Sequence, residues 1–305
     1  MTDTDTDVDA AIADAFRAAC RAELEALKPG NVSFSAAGHG MEAAHFIAAA
    51  DAAAPHVVDR DKGVGQRILA AVSASLAATQ CNTNLGIILL CVPLAAAAQQ
   101  PVPAAPHGLG RASALEARLA AVLEALDQGD AEAVFRAIQH ANPGGLGAAA
   151  TADVREPASI GLRDAMALAA DRDRIARAYV TGFSDLFDIA LPALKAARAI
   201  AETPELAITT LHMCLLASFP DTHIARKHGA ATADAVMHEA LSHRALWLPV
   251  VRPETLDPLA RLDASLKARQ INPGTTADLV VATLFAERLD LPFAGTPPPF
   301  EACLK

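Results

Sequence analysis

Residues 79–90, TQCNTNLGIILL, are the stretch that decides how this sequence folds. They lie inside a longer segment, residues 68–110, that contains no Asp, Glu, Lys or Arg, so we expect that segment to be buried. Four amide or hydroxyl side chains nevertheless stand near its centre: Gln80, Asn82, Thr83 and Asn84. Each such group costs about 1–3 kcal/mol if it is buried without a partner. They either bind a ligand with fixed oxygen and nitrogen atoms or cap the ends of two core helices.

The composition is that of a packed globular protein. Hydrophobic residues make up 52% of the 305 residues and charged residues 20%. The net charge of −10 argues against a nucleic-acid partner, which normally requires a basic face. A small anionic molecule needs only a few local cations or a helix N-terminus. We therefore predict small-molecule partners and no nucleic acid, and homo-oligomerisation is left open.

The sequence predicts a cytoplasmic protein with no membrane segment. Its five cysteines are widely spread and form no CxxC pair, which is typical of reduced, mostly buried thiols. The acidic start, MTDTDTDVDA, lacks the basic and apolar parts of an export signal. The longest apolar stretch, residues 85–98, is shorter than the ~20 residues that span a bilayer, and it contains Pro93. We predict that it is a buried helix.

Apolar residues recur at steps of three and four along most of the chain, and no alternating strand pattern is found. This pattern predicts an all-α fold, a single bundle-like globular domain over residues 1–305 with an acidic tail at 1–8 and an extended tail at 290–305. The main predicted helices cover residues 12–27, 41–54, 68–79, 85–98, 115–126, 204–218, 255–269 and 275–289. Another helix follows Asp130 as its N-cap. A long helix runs from Asp173 until Pro192 ends or kinks it, and one over 221–246 breaks at Gly229.

Three Pro-Gly turns each have an asparagine beside them. They are residues 29–31, 142–144 and 272–274. Glycine lets a backbone approach a ligand closely, and a following helix start offers N–H groups to an anion. The turns therefore predict a phosphate cradle, with Asn31, Pro273 and Gly274 among its residues. The alternative is ordinary punctuation between helices.

Two segments carry carboxylates beside predicted helix starts. In NPGTTAD, residues 272–278, Thr275 and Asp278 have the spacing of a capping box, or Asp278 holds Mg²⁺ bridged to phosphates. In PDTHIARKHG, residues 220–229, Asp221 is an N-cap or a site residue. Arg226 and Lys227 lie on a solvated face or meet phosphate oxygens.

A third segment, the apolar GFSDLFDIALP at residues 182–192, carries two carboxylates. Asp185 and Asp188 are three residues apart and would share one face of a helix. Two carboxylates on a half-buried face are costly unless they are paired or bound to a metal. The charged stretch DRDKG at residues 59–63 alternates in sign, so we interpret it as a solvated loop.

Six segments in the same order resemble the triphosphoribosyl-dephospho-CoA synthase family. They are KPGNVS, TQCNTNLG, NPGGLG, GFSDLF, PDTHIARKHG and NPGTTAD, and they span nearly the whole chain. The resemblance implies an all-helical, Mg²⁺-dependent, ATP-using transferase. It implies transfer of the triphosphoribosyl group of ATP to the 2′-hydroxyl of dephospho-CoA, with release of adenine.

The resemblance also implies site residues. Asp185, Asp221 and Asp278 are expected to hold Mg²⁺ or face the sugar as catalytic groups. For substrate binding it implies Asn82, Thr83, Gly86, Pro273 and Gly274. The sequence patterns described above add Asn31, Asn84, Arg226, Lys227 and Thr275 to the expected substrate-binding residues. One departure is clear: the central motif of the family usually has His and Lys after its Asn-Thr pair, whereas Asn84 and Leu85 stand here.

This departure marks a divergent branch and leaves two other functions open. One is a related enzyme that acts on a phosphorylated or nucleotide intermediate in one-carbon coenzyme synthesis of the methanopterin or methanofuran type. The other is a non-catalytic helical protein that binds a nucleotide.

Overall fold

The computed structural model describes residues 3–101, 111–144 and 151–289. Its regular elements in these ranges are all helices, with two isolated β-bridges in the loop near residues 33–41. The predicted all-α fold is confirmed. None of the described helices is both long and apolar enough to cross a membrane.

The described residues form fourteen α-helices. They are α1 Asp3–Glu25, α2 Ala43–Val57, α3 Val64–Thr79, α4 Leu85–Ala98, α5 Arg111–Glu124, α6 Gln128–Ala141, α7 Leu162–Ala167, α8 Arg174–Thr181, α9 Leu191–Arg198, α10 Pro204–Ser218, α11 Thr222–His228, α12 Ala230–Ser242, α13 Leu256–Ala268 and α14 Gly274–Leu289. A π-helix covers Asp185–Ala190, and 3₁₀ turns cover Arg244–Leu246 and Pro253–Thr255. The predicted bounds of α4 and α10 match those observed, and the predicted break at Gly229 separates α11 from α12.

The described residues group into two compact units. The first takes its residues from the ranges Met1–Cys20, His45–Phe183 and Phe285–Ala294, and the second from Arg21–Ala44 and Ser184–Leu284. Helices α1 and α14 each contribute residues to both. The prediction of one domain over residues 1–305 stays a prediction.

The first unit is built on the packing of α3 against α6. A Cβ atom on Gly65 would lie 2.5 Å from the backbone of Asp130, so glycine is needed for this close approach. Helix α4 packs against α3 and α5. Ten of its fourteen residues are buried, which explains why it shows almost no polar face. The Tyr179 hydroxyl donates a hydrogen bond of 2.6 Å to the carbonyl of Leu89 and fixes α8 against α4.

The second unit is organised around α10, whose residues 206–217 are all buried. Helix α10 packs against α9 and α12. Trp247 is fully buried in the same unit, and its indole Nε1 donates to the Ala240 carbonyl at 3.0 Å. This buried helix carries His212 into the interior of the unit.

Several local predictions are corrected by the structure. Residues 3–8 are the first turns of α1 and not a tail. The N-cap of α6 is Asp127, whose side chain accepts from the Asp130 N–H, while Asp130 is the reciprocal partner of a capping box. Within the predicted buried segment, Gln80 and Asn82 are exposed because they lie in the turn between α3 and α4. Residues 102–110 and 290–305, the latter predicted as an extended tail, lie outside the described residues.

The helix predicted from Asp173 is interrupted. Its first part is α8, which Asp173 caps. Gly182 and Phe183 then take left-handed φ angles of 65° and 63°, and the π-helix follows. Pro192 does not end a helix, because it lies in the first turn of α9, where its missing N–H costs nothing. No disulfide joins the four described cysteines: Cys20, Cys91 and Cys214 are buried and Cys81 is partly exposed.

Candidate functional site

The polar turn between α3 and α4, in the first unit, bonds largely to itself. Gln80 is the left-handed C-cap of α3, and its amide donates to the carbonyls of Leu76 and Ala77. Asn84 is the N-cap of α4, and its Nδ2 donates to Ser75 Oγ at 3.1 Å. Helix capping accounts for the Gln80 amide and the bond to Ser75 accounts for the Asn84 amide, without need of a ligand.

Thr83 is the exception in this turn. Its hydroxyl oxygen is buried and has no hydrogen-bond partner. Asn82 is exposed and accepts a long bond, 3.4 Å, from the Leu85 N–H, while Gly86 lies in the first turn of α4. The structure thus brings Asn82, Thr83, Asn84 and Gly86 together at one helix junction, with a single unsatisfied polar group.

The second unit brings together residues 220–229 and 272–278. Asp221 caps α11 through Oδ1, which accepts from the Ile224 N–H at 3.0 Å. Its Oδ2 accepts from both the N–H and the hydroxyl of Thr276, each at 2.8 Å. Asp221 is only 1% exposed, and burial raises the pKa of its carboxyl while these hydrogen bonds oppose the shift. The N-cap prediction for Asp221 is confirmed.

Thr275 also connects the two segments. Its hydroxyl lies 3.0 Å from the hydroxyl of Thr222 and accepts from the His223 N–H at 3.1 Å. Helix α14 begins at Gly274, so Thr275 lies inside its first turn and is not an N-cap. The capping-box prediction for Thr275 and Asp278 is wrong, because the Thr275 hydroxyl serves the start of α11.

His223 lies against Gly274. A Cβ atom on Gly274 would stand 2.8 Å from His223 Nδ1, so only glycine leaves room for the ring. The same Nδ1 is 3.5 Å from Arg226 Nη2, and because arginine can only donate, the proton of the neutral ring is assigned to Nε2. His223 Nε2 is buried and has no hydrogen-bond partner.

The charge around His223 is positive. Burial, followed by the cations Lys227 and Arg226, lowers the pKa of His223 to about 3, so its ring is neutral near pH 7. Burial and the neighbouring Arg226 likewise lower the pKa of Lys227. Two cations and a neutral N–H donor therefore lie on the short helix α11.

The loop that follows α1 is held by a buried ion pair. Lys28 is fully buried, and its Nζ lies 2.8 Å from Glu23 Oε1 and 3.3 Å from Asn31 Oδ1, with Val32 O as a further acceptor. Burial lowers the pKa of Lys28 and raises that of Glu23, and the attraction between the two charges opposes both shifts.

This loop packs against residues 271–273. Asn31 Nδ2 donates to Asn272 Oδ1 at 2.8 Å. A Cβ atom on Gly30, whose φ is 87°, would stand 2.7 Å from the ring of Pro273. Two of the three predicted Pro-Gly turns are thus in contact, and the Asn31 and Asn272 amides bond to each other. The third turn lies in the first unit, where Asn142 is the C-cap of α6. This agrees with the alternative that the turn only separates two helices.

The three predicted catalytic carboxylates differ in setting. Asp185 is 7% exposed on the π-helix, Asp221 is the cap described above, and Asp278 is half-buried one turn into α14. Across residues 3–101, 111–144 and 151–289, no three His, Cys, Asp or Glu side chains gather in a way that could hold a metal. These aspartates are therefore not a ready-made three-ligand metal site, and both oxygens of Asp221 are already bonded. Asp188 is exposed and avoids the predicted cost of burial.

Sequence reasoning missed five residues that shape this region: His223, Asp263, Lys267, His212 and Thr276. Asp263 accepts from the Gly30 N–H at 2.8 Å and pairs with Lys267 at 3.0 Å. Asp263 and Lys267 are four residues apart on α13, and this spacing could have predicted their ion pair from the sequence. His212 is fully buried on α10, where its Nε2 donates to the Pro29 carbonyl at 3.3 Å, and burial lowers its pKa to about 3. No local pattern marks a histidine inside a buried helix as a loop anchor.

Comparison with protein families assigns the chain to a class of transferases. It belongs to the ATP:dephospho-CoA triphosphoribosyl transferase family, whose model matches residues 9–296. The chain is therefore an enzyme of the family that transfers the triphosphoribosyl group of ATP to dephospho-CoA, and the resemblance found in its motifs is confirmed.

A solved structure supports the shared fold. The chain is similar to the crystal structure of a protein described as a triphosphoribosyl-dephospho-CoA synthase from Archaeoglobus fulgidus. The TM-score is 0.60 at 24% identity, over 81% of this chain and 99% of that one. Among curated proteins, no match was found.

Proposed function

We propose that this chain carries out its family reaction on ATP and dephospho-CoA, and that the second unit binds the ATP. In this reaction the bond between ribose C1′ and the adenine nitrogen breaks, and a bond forms from C1′ to the acceptor hydroxyl oxygen. The acceptor loses its hydroxyl proton, and adenine leaves with a proton. Positive charge develops on the sugar in the transition state, by analogy with other glycosidic cleavages.

The observation that carries the proposal is the contact between residues 220–229 and 272–278. Two segments about fifty residues apart in sequence are joined through Asp221, Thr275 and Thr276. Beside this junction stands the unpartnered Nε2–H of His223. A buried donor without an acceptor costs about 1–3 kcal/mol, which a ligand acceptor would recover.

His223 is proposed to hydrogen-bond the departing adenine. Its neutral ring presents an N–H donor, and adenine ring nitrogens are acceptors. Arg226 and Lys227 are proposed to contact the triphosphate, because guanidinium and ammonium groups bind phosphate oxygens strongly.

The carboxylates are given separate roles. We assign Asp221 to holding the starts of α11 and α14 in place, since both of its oxygens are bonded. Asp278 and Asp185 are proposed to face the sugar, where a negative charge stabilises the transition state. Mg²⁺ is proposed to arrive with ATP as part of the substrate, which requires only one or two protein carboxylates.

The polar turn of the first unit is also proposed to contact substrate. Thr83 has the one unsatisfied hydroxyl there, and Asn82 is exposed beside it. These two groups suit the hydroxyls of a ribose or the edge of a base.

The first test is an incubation of purified protein with ATP, Mg²⁺ and dephospho-CoA, followed by chromatography and mass spectrometry. Free adenine and a triphosphoribosylated product in equal amounts are expected. If a folded sample binds ATP but yields neither, the acceptor is a different phosphorylated or nucleotide intermediate. If ATP does not bind, the proposal for the second unit is wrong.

Asp278→Asn tests the catalytic carboxylate. Turnover should be lost while thermal stability stays near that of the parent protein. Asp257→Asn is the matched control, because Asp257 is an exposed carboxylate in the first turn of α13 in the same unit. Near-normal turnover of Asp278→Asn would remove Asp278 from the site.

A further inference from the structure

The first unit contains a cavity that the proposed ATP site does not use. Its volume is about 420 Å³, within the usual range for small-ligand pockets. One part of its wall is polar and mostly basic, with Arg60, Lys62, Arg67, Gln99 and Gln100. The other part is apolar, with Val64, Ala96, Val122, Ala125 and Leu126.

Arg67 is the residue that makes this cavity unusual. It is only 7% exposed, and its hydrogen bonds go to two neutral oxygens: Nε donates to the Lys62 carbonyl at 2.8 Å and Nη1 to Gln99 Oε1 at 2.6 Å. In the part of the chain that the structure describes, no carboxylate forms an ion pair with it. A buried charge without a counter-ion is costly, and an anion in the cavity would reduce that cost.

The other charges at the cavity are already matched. Arg60 pairs with Asp9 at 2.8 Å, and Lys62 pairs with Asp59. Asp130 also lines the cavity, but its two oxygens accept from the N–H groups of Gly65 and Asp127. Arg67 is therefore the cation at this cavity whose charge is left for a ligand.

The surroundings hold Arg67 in position before any ligand arrives. The Gln99 amide donates to Asp9 Oδ1 and to the Val58 carbonyl, each at 2.7 Å, which fixes its oxygen toward Arg67. Gly63, the N-cap of the 16-residue helix α3, has no side chain to cap the helix and also lines the cavity. The helix start adds partial positive charge to the same wall.

We propose that this cavity binds a phosphate group of an organic ligand, with Arg67 as its main charge partner and the apolar wall against the organic part. Two sources share this chemistry: the diphosphate of the acceptor dephospho-CoA, and a separate phosphorylated effector. The proposal does not depend on the ATP site, because binding can be measured without turnover.

The test is calorimetric titration of the full chain with inorganic pyrophosphate, and in a second series with dephospho-CoA. Arg67→Gln should weaken pyrophosphate binding by about tenfold or more, as expected for loss of a charged hydrogen bond. Gln100→Glu should do the same, because it adds a negative charge to the wall with almost no change of shape. Arg136→Gln is the control, since Arg136 is exposed on α6 in the same unit and away from the cavity wall.

The outcomes separate clearly. If dephospho-CoA affinity falls together with pyrophosphate affinity in both variants, the ligand is the acceptor substrate. If pyrophosphate affinity alone falls, the ligand is a separate phosphorylated molecule. The proposal is overturned if pyrophosphate does not bind the parent protein, or if it binds folded Arg67→Gln or Gln100→Glu as tightly as Arg136→Gln.

Discussion

Thr276 donates two hydrogen bonds to one carboxylate oxygen of Asp221, from its backbone N–H and from its hydroxyl, both at 2.8 Å. The other oxygen of Asp221 caps α11. A single buried carboxylate thereby holds two helix starts together. Asp221, for which the sequence predicted a site role or an N-cap, therefore has a structural role in this unit.

We predict that Asp221→Asn destabilises the protein by about 1–3 kcal/mol, because an amide has one acceptor oxygen and cannot serve all three donors. The measurement is the free energy of unfolding in urea. Asp127→Asn is the matched control: Asp127 is an exposed N-cap whose Oδ1 accepts from the Asp130 N–H, and asparagine caps helices equally well. Equal stability of the two variants would contradict the structural role of Asp221.

Gly274→Ala is expected to destabilise the protein through His223. The new methyl group would stand 2.8 Å from the ring, and overpacking of this kind costs about 1–3 kcal/mol. The cost should largely disappear in the double variant Gly274→Ala/His223→Ala. A double-mutant cycle in urea measures this coupling, and a coupling near zero would show that the ring moves away freely.

His212 is predicted to make stability depend on pH. Its pKa is about 3 in the folded protein and near 6.5 when unfolded, so the unfolded state binds the extra proton between these values. Stability is fully present above pH 6.5 and falls as the pH drops toward 3, by at most about 1.4 kcal/mol per pH unit for this residue. His212→Gln should flatten that slope, and His238→Gln, an exposed control, should not. The measurement is the free energy of unfolding at several pH values. An unchanged pH slope in His212→Gln would contradict the prediction.

Glu23→Gln is predicted to cost about 3–5 kcal/mol, because it leaves the fully buried Lys28 ammonium without its carboxylate. The double variant Glu23→Gln/Lys28→Met should recover most of that loss. Glu25→Gln breaks the exposed Arg21–Glu25 pair and should change stability much less. A small effect of Glu23→Gln in thermal unfolding would mean that Lys28 finds another counter-ion or loses its proton.

The fold was accessible from the sequence because the helices carry strong local signals. The charge-free stretch before Ala98, the proline at residue 204 and the glycine at 229 mark helix bounds that the structure confirms. The start of α6 was less accessible. Asp127 and Asp130 both have cap chemistry, and only the packing of α3 against α6 decides which of them is the N-cap.

The site was accessible only in part. The motifs named two segments, residues 220–229 and 272–278, that the structure brings into contact. Their partners were not visible, because the bonds from Asp221 to Thr276 and from Asn31 to Asn272 join positions far apart in the chain. The proposed role of His223 as a neutral hydrogen-bond donor depends on its burial and on the nearby cations. A single sequence specifies neither of these.

The π-helix at Asp185–Ala190 has a consequence for register. Each bond from residue i to i+5 encloses one more residue than the i to i+4 bond of an α-helix, so this short element holds a surplus residue within the chain. If the same residues took α-helical geometry, everything on one side of this segment would be rotated by about 100°, the turn of one residue, relative to the other side. The buried direction of Asp185 and the packing face of α9 would then no longer agree. The surplus residue thus sets the phase between a proposed site carboxylate and the helix that follows it.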